Sequence, residues 1–520
     1  MRGAVAARRL PVAAPSLALA ALGPLAVVAA AAWALPVLAP LAFVVLAVAA
    51  ARHWLLRWET LVAGMTLVIL LVPIRRFTLS SSLPFELEPY RVVVTLVLCA
   101  WVASLLIDPR VRLRRTFVDL PLVAFCAAAL LSLVVNVDRV DMVEPVLTKK
   151  LVSFVGFFLT FYLVVSIARR LEIALVLVKT LVCAGVVLGL ASMYEARTGT
   201  NIFNFLPRVL PFLDVHQALE TGVSTDNRGS RTRAAGSAQS PIELGAMLVM
   251  LLPLAIALAR VSGARRWWIA AAVITPGAVS SVSRTIVLMG IAVLLTALWV
   301  RGRQTIRLWP ALLLIVPLIH FAVPGTLGTL ANSFFPEGGL VAQQANTAVG
   351  SGRLATLGPA LERELAPRPI LGVGFATRVP TNEDPRVPAN APILDNQWLG
   401  VLLETGLLGL AAFAWLIGRF IRRTGRAAKH DHSARGWLLA GVTASIAAYA
   451  VGMLTFDTFS FTQVTFLFFI VLGIGAALIA SPDPAPAASD GAELDEANRA
   501  SPIHAVPSRA DAEAGAAGQA

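Results

Sequence analysis

The chain alternates between long apolar segments and short polar ones from about residue 16 to residue 480. Most apolar runs approach the roughly 20 residues that a helix needs to cross a bilayer. This pattern predicts an all-α, polytopic membrane protein with about 12 to 14 transmembrane helices. The predicted spans lie near 16–34, 37–51, 58–74, 92–107, 117–135, 151–168, 172–193, 240–260, 267–282, 285–300, 308–324, 397–418, 437–456 and 461–480.

Composition excludes a soluble globular protein, because 57% of the 520 residues are hydrophobic and the mean hydropathy is +0.77. The net charge of +13 does not indicate a nucleic-acid partner, since most of the excess base lies in short connections between spans. Charge placed there orients helices and meets anionic membrane lipid.

The basic residues are distributed unevenly between alternate connections. One set is basic and nearly free of acid, which predicts a cytoplasmic location; it holds Arg8/Arg9, Arg52/Arg57, Arg110/Arg112/Arg114/Arg115, Arg169/Arg170, Arg260/Arg265/Arg266, Arg301/Arg303/Arg307 and Arg422/Arg423/Arg426/Lys429/Arg435. Both termini are then cytoplasmic, in a multi-pass protein of the plasma membrane. The predicted parts are a cytoplasmic N-terminus (1–15), a transmembrane domain (16–480), outer loops at 194–239 and 325–396, and a disordered cytoplasmic tail (481–520), which has seven acids against two bases.

The outer loop at 325–396 contains the pattern of a short amphipathic helix followed by turns. Leu354, Leu357, Leu361 and Leu365 recur at spacings of three and four, which predicts a lid helix at the outer interface or packed on the bundle. The prolines and glycines of 367–374 end that helix and turn the chain back toward the membrane.

Asp395 precedes the helix predicted to start near Gln397, and two interpretations remain open. It could cap that helix, which stabilises by about 1 kcal/mol, or act as a general base on an acceptor hydroxyl. His216 and His320 are alternative bases near the predicted outer face. Asn396, Gln397 and Trp398 are candidate contacts to the acceptor or the lid.

Several arginines fall on the predicted outer side: Arg228, Arg231 and Arg233 before one span, Arg284 between two spans, and Arg353 at the start of the lid. A guanidinium matches phosphate oxygens in a bidentate fork, so converging arginines suggest a pyrophosphate ligand. The alternative is that they pair with carboxylates of the protein, namely Glu220, Asp226, Glu243 or Glu404.

A series of short motifs resembles the O-antigen ligase and O-antigen polymerase family over about 230–480. They are Arg233-Ala-Ala-Gly236, Pro241-Ile-Glu-Leu-Gly245, Ser283-Arg284, Gly352-Arg353, Pro369-Ile-Leu-Gly-Val-Gly-Phe375, Asn396-Gln-Trp-Leu399 and Glu404-Thr-Gly406-Leu-Leu-Gly409.

The resemblance implies a metal-independent, cofactor-free, GT-C-like glycosyltransferase. Such an enzyme moves a glycan from an undecaprenyl pyrophosphate carrier to an acceptor hydroxyl of a glycan, lipid or protein, with inversion. On this chain Arg231, Arg233, Arg284 and Arg353 would bind the pyrophosphate. Arg233, Arg284 and Arg353 would also stabilise it as it leaves, with Arg284, Arg353 and Asp395 as the catalytic residues. Family ligases carry a histidine where this chain has Asp395, so a carboxylate would replace the expected base.

Three other functions fit parts of the same pattern. A lipid-linked glycan flippase or polysaccharide exporter suits the number of spans but should carry charge deep in a central cavity. A cell-wall polymerase of the shape, elongation, division and sporulation type usually has fewer spans. A pore does not explain the long, proline-rich outer loop. Cys99, Cys126 and Cys183 lie in separate predicted helices, which predicts neither a disulfide nor a metal site.

Overall fold

The chain is helical throughout most of the part that the computed structural model describes, namely residues 57–79, 87–108, 112–215, 227–228, 231–335, 353–380 and 387–480. The predicted spans at 16–34 and 37–51 and the tail at 481–520 lie outside these residues. The helices are α1 (Trp58–Leu71), α2 (Pro89–Ile107), α3 (Asp119–Val135), α4 (Val137–Ile167), α5 (Leu171–Thr198), α6 (Leu206–Val209), α7 (Pro241–Ser262), α8 (Arg265–Val279), α9 (Arg284–Ile306), α10 (Trp309–Ala322), α11 (Thr326–Phe334), α12 (Arg353–Ala360), α13 (Gln397–His430), α14 (Ala434–Gly452) and α15 (Thr462–Ala480).

Each predicted span after residue 57 coincides with one of these helices, which confirms an all-α polytopic membrane protein. Within the described residues, eight helices are long and apolar enough to cross a bilayer: α2, α4, α5, α7, α9, α13, α14 and α15. The helices α10 and α11 are bent by 113° at a short break and would count as a ninth span if taken together. The helices α1, α3 and α8 are shorter, with 14, 17 and 15 residues.

Two helices extend well beyond their predicted spans. The helix α4 begins at Val137 rather than 151, so the charged residues expected in a connection form its first turns. The helix α13 continues to His430, because Arg, Lys and Ala favour helix after the apolar stretch ends. The predicted spans stopped at charged residues, but the helices themselves continue through them.

The helices α7 and α15 form the middle of the bundle. In the most apolar stretch of each helix, 83% of the α7 residues and 89% of the α15 residues are buried. The helix α7 packs against α5, α8 and α14, while α13 packs against α3 and α14. In α2 that share is only 28%. Its apolar side chains, such as Leu106 at 83% exposure, are left for lipid.

Strands are short in the described residues. Phe77–Thr78 (β1) pairs antiparallel with Asp214–Val215 (β2), and Asn227–Arg228 (β3) pairs with Arg231–Thr232 (β4). The first pair joins two connections that are far apart in sequence at the predicted outer end of the bundle.

The predicted lid helix is present as α12, followed by a π-helical turn at Leu361–Leu365. Leu361 and Leu365 pack with a small buried cluster of Ala360, Leu394 and Leu403. The second half of the predicted apolar stripe therefore covers the start of α13, as the packed-lid interpretation requires. Contact with the membrane interface stays a prediction.

Candidate functional site

The site is built around a break in α13 that the preceding loop fills. At Gly406 the backbone leaves the helical conformation (φ 66°, ψ −167°), so α13 consists of two helical segments. The main-chain N–H groups of Val373 and Gly374 donate to the oxygens of Leu403 (2.9 Å) and Glu404 (3.0 Å). On the other side of the break, the N–H of Leu407 donates to the oxygen of Pro369 (2.9 Å). The loop thereby satisfies backbone groups that the break would leave unpaired.

Glycine is required where these two segments cross. Gly406 and Gly372 have φ values of +66° and +69°, in the left-handed region that other residues rarely adopt. A Cβ on Gly406 would collide with the main chain of Ile370, and one on Gly372 would lie 2.6 Å from the carbonyl carbon of Glu404. The motifs Pro369–Phe375 and Glu404–Gly409 are thus two halves of one backbone junction.

Beside this junction lies a charged cavity of about 160 Å³. It opens between the connection after α1, the middle of α4, the loop before α13 and the loop between α14 and α15. Among the described residues that line it, five are basic and three are acidic: Arg75, Arg91, Lys149, Lys150 and Arg378, with Glu88, Glu404 and Asp457. The excess of base makes the cavity suited to an anion.

Hydrogen bonds fix several of these charged groups. Lys150 Nζ donates to the main-chain oxygen of Arg378 (2.7 Å), and Arg378 Nε donates to Glu364 Oε2 (2.6 Å) in a buried ion pair. The carboxylate of Glu404 accepts the main-chain N–H of Ala376 (3.0 Å). These bonds tie the loop, α4 and α13 into one wall of the cavity.

An apolar groove of about 420 Å³ continues from the cavity between α2 and α4. It is lined by side chains such as Val94, Leu98, Val152 and Leu159. Four residues line both spaces, namely Tyr90, Arg91, Lys149 and Ser153. The combined space has a cationic head region and an apolar channel on the lipid-exposed side of the bundle.

The structure brings two of the predicted arginines to one turn. Arg233 Nε donates to the main-chain oxygen of Ser281 (3.1 Å), three residues before Arg284 opens α9. Arg284 Nη1 in turn donates to the oxygen of Ser333 at 3.3 Å. We name this region, from Ser280 to Arg284 together with Arg233, the arginine turn.

A second network holds the loop that carries Arg233. Arg76 donates to the main-chain oxygens of Gly236 (2.9 Å) and Ala238 (2.8 Å). Glu195 Oε2 accepts the N–H of Gly236 (2.8 Å), and Asn201 Nδ2 donates to the main-chain oxygen of Gly236 (2.8 Å). The motif Arg233–Gly236 is therefore fixed in place by residues that are distant in sequence.

The arginine turn adjoins the charged cavity without lining it. Thr285 Oγ1, in the first turn of α9, lies 2.9 Å from Thr455 Oγ1. Thr455 belongs to the loop between α14 and α15, and Asp457, two residues later, lines the cavity. Of the other predicted arginines, the structure describes only the main chain: Arg231 is in β4 and Arg353 begins α12.

The structure separates the two interpretations of Asp395. Asn396 is the N-cap of α13, and its Oδ1 accepts the N–H of Leu399 at 3.1 Å. The N-cap position that the sequence suggested for Asp395 is therefore occupied by its neighbour Asn396. Asp395 has a left-handed backbone (φ 50°), which Asp tolerates better than most residues. It lies close enough to Asp457 for their charges to repel.

Gln397 and Trp398 hold the start of α13 against the loop after α14. Gln397 Oε1 accepts the N–H of Phe459 (2.7 Å), and its side chain lines the cavity. Trp398 Nε1 donates to the oxygen of Ala450 (2.9 Å). The contacts of Gln397 and Trp398 with the acceptor or the lid stay predictions, and of the two residues Gln397 lines the cavity.

Four carboxylates were predicted as alternative partners of the arginines, and the structure describes two of them, Glu243 and Glu404. Glu243 is fully buried and accepts the N–H groups of Gln239 (2.9 Å), Gln463 (3.1 Å) and Val464 (3.3 Å). It thereby serves the N-terminus of α15. Glu220 and Asp226 lie outside the described residues, as does His216. His320 lies on α10, and its ring packs against Phe321.

Sequence reasoning missed most of the cavity. Lys149 and Lys150 directly precede the predicted span at 151–168, and the structure places them about midway along α4 (Val137–Ile167). Two adjacent lysines at the edge of an apolar stretch were the signal that the sequence offered, because ionisable groups close to the membrane core usually have a function. Arg378 and Asp457 carried no comparable signal, because their partners come from segments far away along the chain.

The segments around the backbone junction and the arginine turn are also similar to a known protein family. Residues 269–414 match the family model described as O-antigen ligase. Over these residues the chain is similar to O-antigen ligases, and we call this stretch the O-antigen ligase domain. This domain runs from α8 through the lid to the first half of α13, and the match confirms the resemblance to O-antigen ligases and polymerases. Comparison with curated proteins gave no match.

The O-antigen ligase domain contains the arginine of α9, the lid and the backbone junction around Gly406. Arg233, Lys150 and Asp457 lie outside it in sequence but adjoin it in space. The family implies a glycosyltransferase-like activity on a lipid-linked glycan, in a multi-pass membrane protein. Among the described residues, no group of three or more His, Cys, Asp or Glu side chains is arranged to hold a metal ion.

Proposed function

We propose that this protein transfers a glycan from a polyprenyl pyrophosphate carrier to an acceptor hydroxyl at the outer face of the plasma membrane, with inversion and without a metal. The observation that carries the proposal is the union of a cationic cavity with an apolar groove between α2 and α4. A polyprenyl pyrophosphate has the same two parts, a diphosphate and a long apolar chain. The O-antigen ligase domain supports the same substrate class.

The cations would act mainly on the leaving group. When the bond between the sugar and the pyrophosphate breaks, negative charge grows on the diphosphate, and fixed cations nearby lower the energy of that state. Arg91 and Lys149 stand where the cavity meets the groove, at the position a headgroup would take if its chain lay in the groove. Arg231, Arg233, Arg284 and Arg353 are proposed to add to this binding from the side of the arginine turn and the lid.

The position of the cavity supports transfer at the outer face. It lies at the end of the bundle that carries residues 74–79, 87–91 and 453–462, opposite the basic connections near 169–170, 260–266 and 301–307. Those basic connections favour the cytoplasm under the positive-inside rule. On this orientation both termini are cytoplasmic and the lid at α12 is outside.

The test uses purified protein in lipid nanodiscs with a polyprenyl pyrophosphate oligosaccharide and a glycan acceptor. Release of polyprenyl pyrophosphate together with a longer or newly attached glycan is the expected result. Arg91→Gln and Lys149→Gln should each lower turnover at least tenfold, which corresponds to about 1.4 kcal/mol of transition-state stabilisation. The matched control is Arg303→Gln, which removes an exposed cation at the opposite end of the bundle.

Two outcomes would reject the proposal. One is wild-type turnover in both cavity variants. The other is movement of the intact lipid-linked glycan across the bilayer of proteoliposomes with no transfer to acceptor, which is the behaviour of the alternative flippase or exporter.

A further inference from the structure

Asp457 lies in the loop between α14 and α15 and lines the charged cavity. It occupies the N-cap position of the short turn Thr458–Ser460, yet its carboxylate accepts no N–H from that turn. Instead Asp457 Oδ2 accepts the hydroxyl of Ser460 at 2.7 Å. An Asp at an N-cap position ordinarily accepts a main-chain N–H of the turn that follows. The carboxylate of Asp457 instead bonds Ser460 and lines the cavity.

The other two acidic residues of the cavity already have strong partners. Glu88 forms an ion pair with Arg91 (3.4 Å), and Glu404 accepts the main-chain N–H of Ala376 (3.0 Å). Asp457 is bonded only to a hydroxyl among the partners that the described residues provide. Of the three acids, it is the one best placed to accept another proton donor.

The loop that carries Asp457 is held on three sides. Gln397 N–H donates to the oxygen of Met453 (2.8 Å), and Gln397 Oε1 accepts the N–H of Phe459 (2.7 Å). Thr465 Oγ1 donates to the oxygen of Thr458 (2.8 Å), and Thr455 contacts Thr285. A carboxylate fixed in this way satisfies the geometric demand on a catalytic group.

We propose that Asp457 is the general base that activates the acceptor hydroxyl, a role that rests on the proposed function. The acceptor O–H gives its proton to the Asp457 carboxylate while its oxygen attacks the anomeric carbon. The bond from that carbon to the pyrophosphate oxygen breaks, and the polyprenyl pyrophosphate leaves with the electron pair on that oxygen. The products are one new glycosidic bond, a protonated Asp457 and free polyprenyl pyrophosphate, so atoms and charge balance.

The charges around Asp457 suit this role. Burial raises its pKa, and the charge of Asp395 acts in the same direction, while Lys150, Arg378 and the Ser460 hydroxyl oppose it. Glu404 also faces it across the cavity. A carboxylate with a raised pKa holds an abstracted proton better, which brings it closer to the optimum for a general base.

This assignment gives Asp395 a different role from the predicted one. Asp395 does not line the cavity, whereas Asp457 does. Asp395 would act through its charge on Asp457 and would be a positioning residue. The base of this chain, Asp457, would then lie beside the position at which family ligases carry a histidine, and that position would be held by Asp395.

The experiment compares Asp457→Asn, Asp457→Glu and Asp395→Asn in the nanodisc transfer assay, with donor affinity measured separately by titration. Asp457→Asn should lower kcat by about 100-fold or more, with the donor Kd changed by less than about threefold. Asp457→Glu should recover part of kcat. Asp395→Asn should keep more kcat than Asp457→Asn and shift the acidic limb of the pH–rate profile to lower pH. Asp138→Asn, at an exposed position, is the matched control.

The results separate this inference from the proposed function. An inactive wild-type protein would refute the function itself. An active wild-type protein with an equally active Asp457→Asn variant would refute only the role of Asp457. Loss of kcat in Asp395→Asn without loss in Asp457→Asn would return the base to Asp395. Equal loss of donor binding and kcat in Asp457→Asn would make it a donor contact.

Discussion

The main-chain N–H of Gly374 donates to the main-chain oxygen of Glu404 at 3.0 Å, so the loop after the lid pairs with a helix at the point where that helix breaks. Ser132 Oγ on α3 donates to the same oxygen of Glu404 at 2.5 Å. The break is thus covered by hydrogen bonds from two separate segments. Because the side chain of Glu404 enters the cavity, this backbone junction determines part of the cavity wall.

Replacement of Gly406 by Ala should destabilise the fold. At φ 66° and ψ −167°, the backbone of residue 406 is in a region that essentially only glycine adopts, and it costs other residues about 1–3 kcal/mol. The added methyl also collides with the main chain of Ile370. Overpacking of this kind costs a further 1–3 kcal/mol or so. Thermal unfolding in detergent should show a lower midpoint, and product formation should fall with it.

The control for that substitution is Gly418→Ala in the same helix. A Cβ on Gly418 would have no heavy atom within 4 Å. Ala is favoured over Gly in a helix by roughly 1 kcal/mol, so its unfolding midpoint should stay the same or rise. Equal midpoints for the two Ala variants would show that the junction does not depend on glycine.

Replacement of Asn396 should reveal the cap of α13. Asn396→Ala removes the acceptor for the Leu399 N–H and should cost about 1 kcal/mol of stability. Asn396→Asp keeps a capping oxygen and should remain close to wild type. If Asp395→Gly, which keeps the left-handed backbone of this position without strain, lowered the midpoint as much as Asn396→Ala does, the cap would be shared between the two residues.

The sequence predicted the helices far better than the cavity. Spans follow from local runs of apolar residues, so positions such as those of α7 and α15 could be found without knowledge of the fold. The sequence predicted that the outer arginines converge, but it did not predict the contact between Arg233 and the turn before Arg284. Lys150 meets the oxygen of Arg378 across 228 positions of sequence. No local pattern encodes such a meeting, which explains why the cavity was not predicted.

Arg284 and Arg353 should both be required for glycan transfer. Arg284→Ala and Arg353→Ala should each abolish product formation and leave membrane insertion intact. Loss of a fixed donor to a developing anion typically costs about 10²–10³ in kcat. Arg265→Ala, at an exposed position at the opposite end of the bundle, should remain active. Product at wild-type levels in both variants, measured beside normal size-exclusion profiles, would remove these residues from the site.

The raised pKa of Asp457 has a consequence for stability. Because the folded protein holds this proton more tightly than the unfolded chain, ionisation of Asp457 destabilises the fold as pH rises through the folded-state pKa. Asp457→Asn should therefore raise the unfolding midpoint at pH 7 to 8. The gain should vanish below about pH 4, where the carboxyl is protonated in both states. A midpoint lowered at pH 7 would mean that the ionised carboxylate stabilises the fold.

Steric filling of the apolar groove tests the donor's lipid chain directly. Gly156 lines the groove on α4, and a Cβ there would meet no heavy atom within 4 Å. Gly156→Leu should therefore fold normally while its side chain occupies space that the polyprenyl chain needs. We expect KM for a long-chain donor to rise at least tenfold, and KM for a donor analogue with a chain too short to enter the groove to change little.

Gly290→Leu on α9 is the matched control, since Gly290 is also half-buried in an apolar helix with nothing within 4 Å of an added Cβ. Both variants gain the same side chain and the same helix propensity, so a general effect of hydrophobic mass would appear in both. Only a chain bound between α2 and α4 makes the effect specific to residue 156 and dependent on donor length. An equal rise in KM for both donors would place the lipid chain elsewhere on the protein.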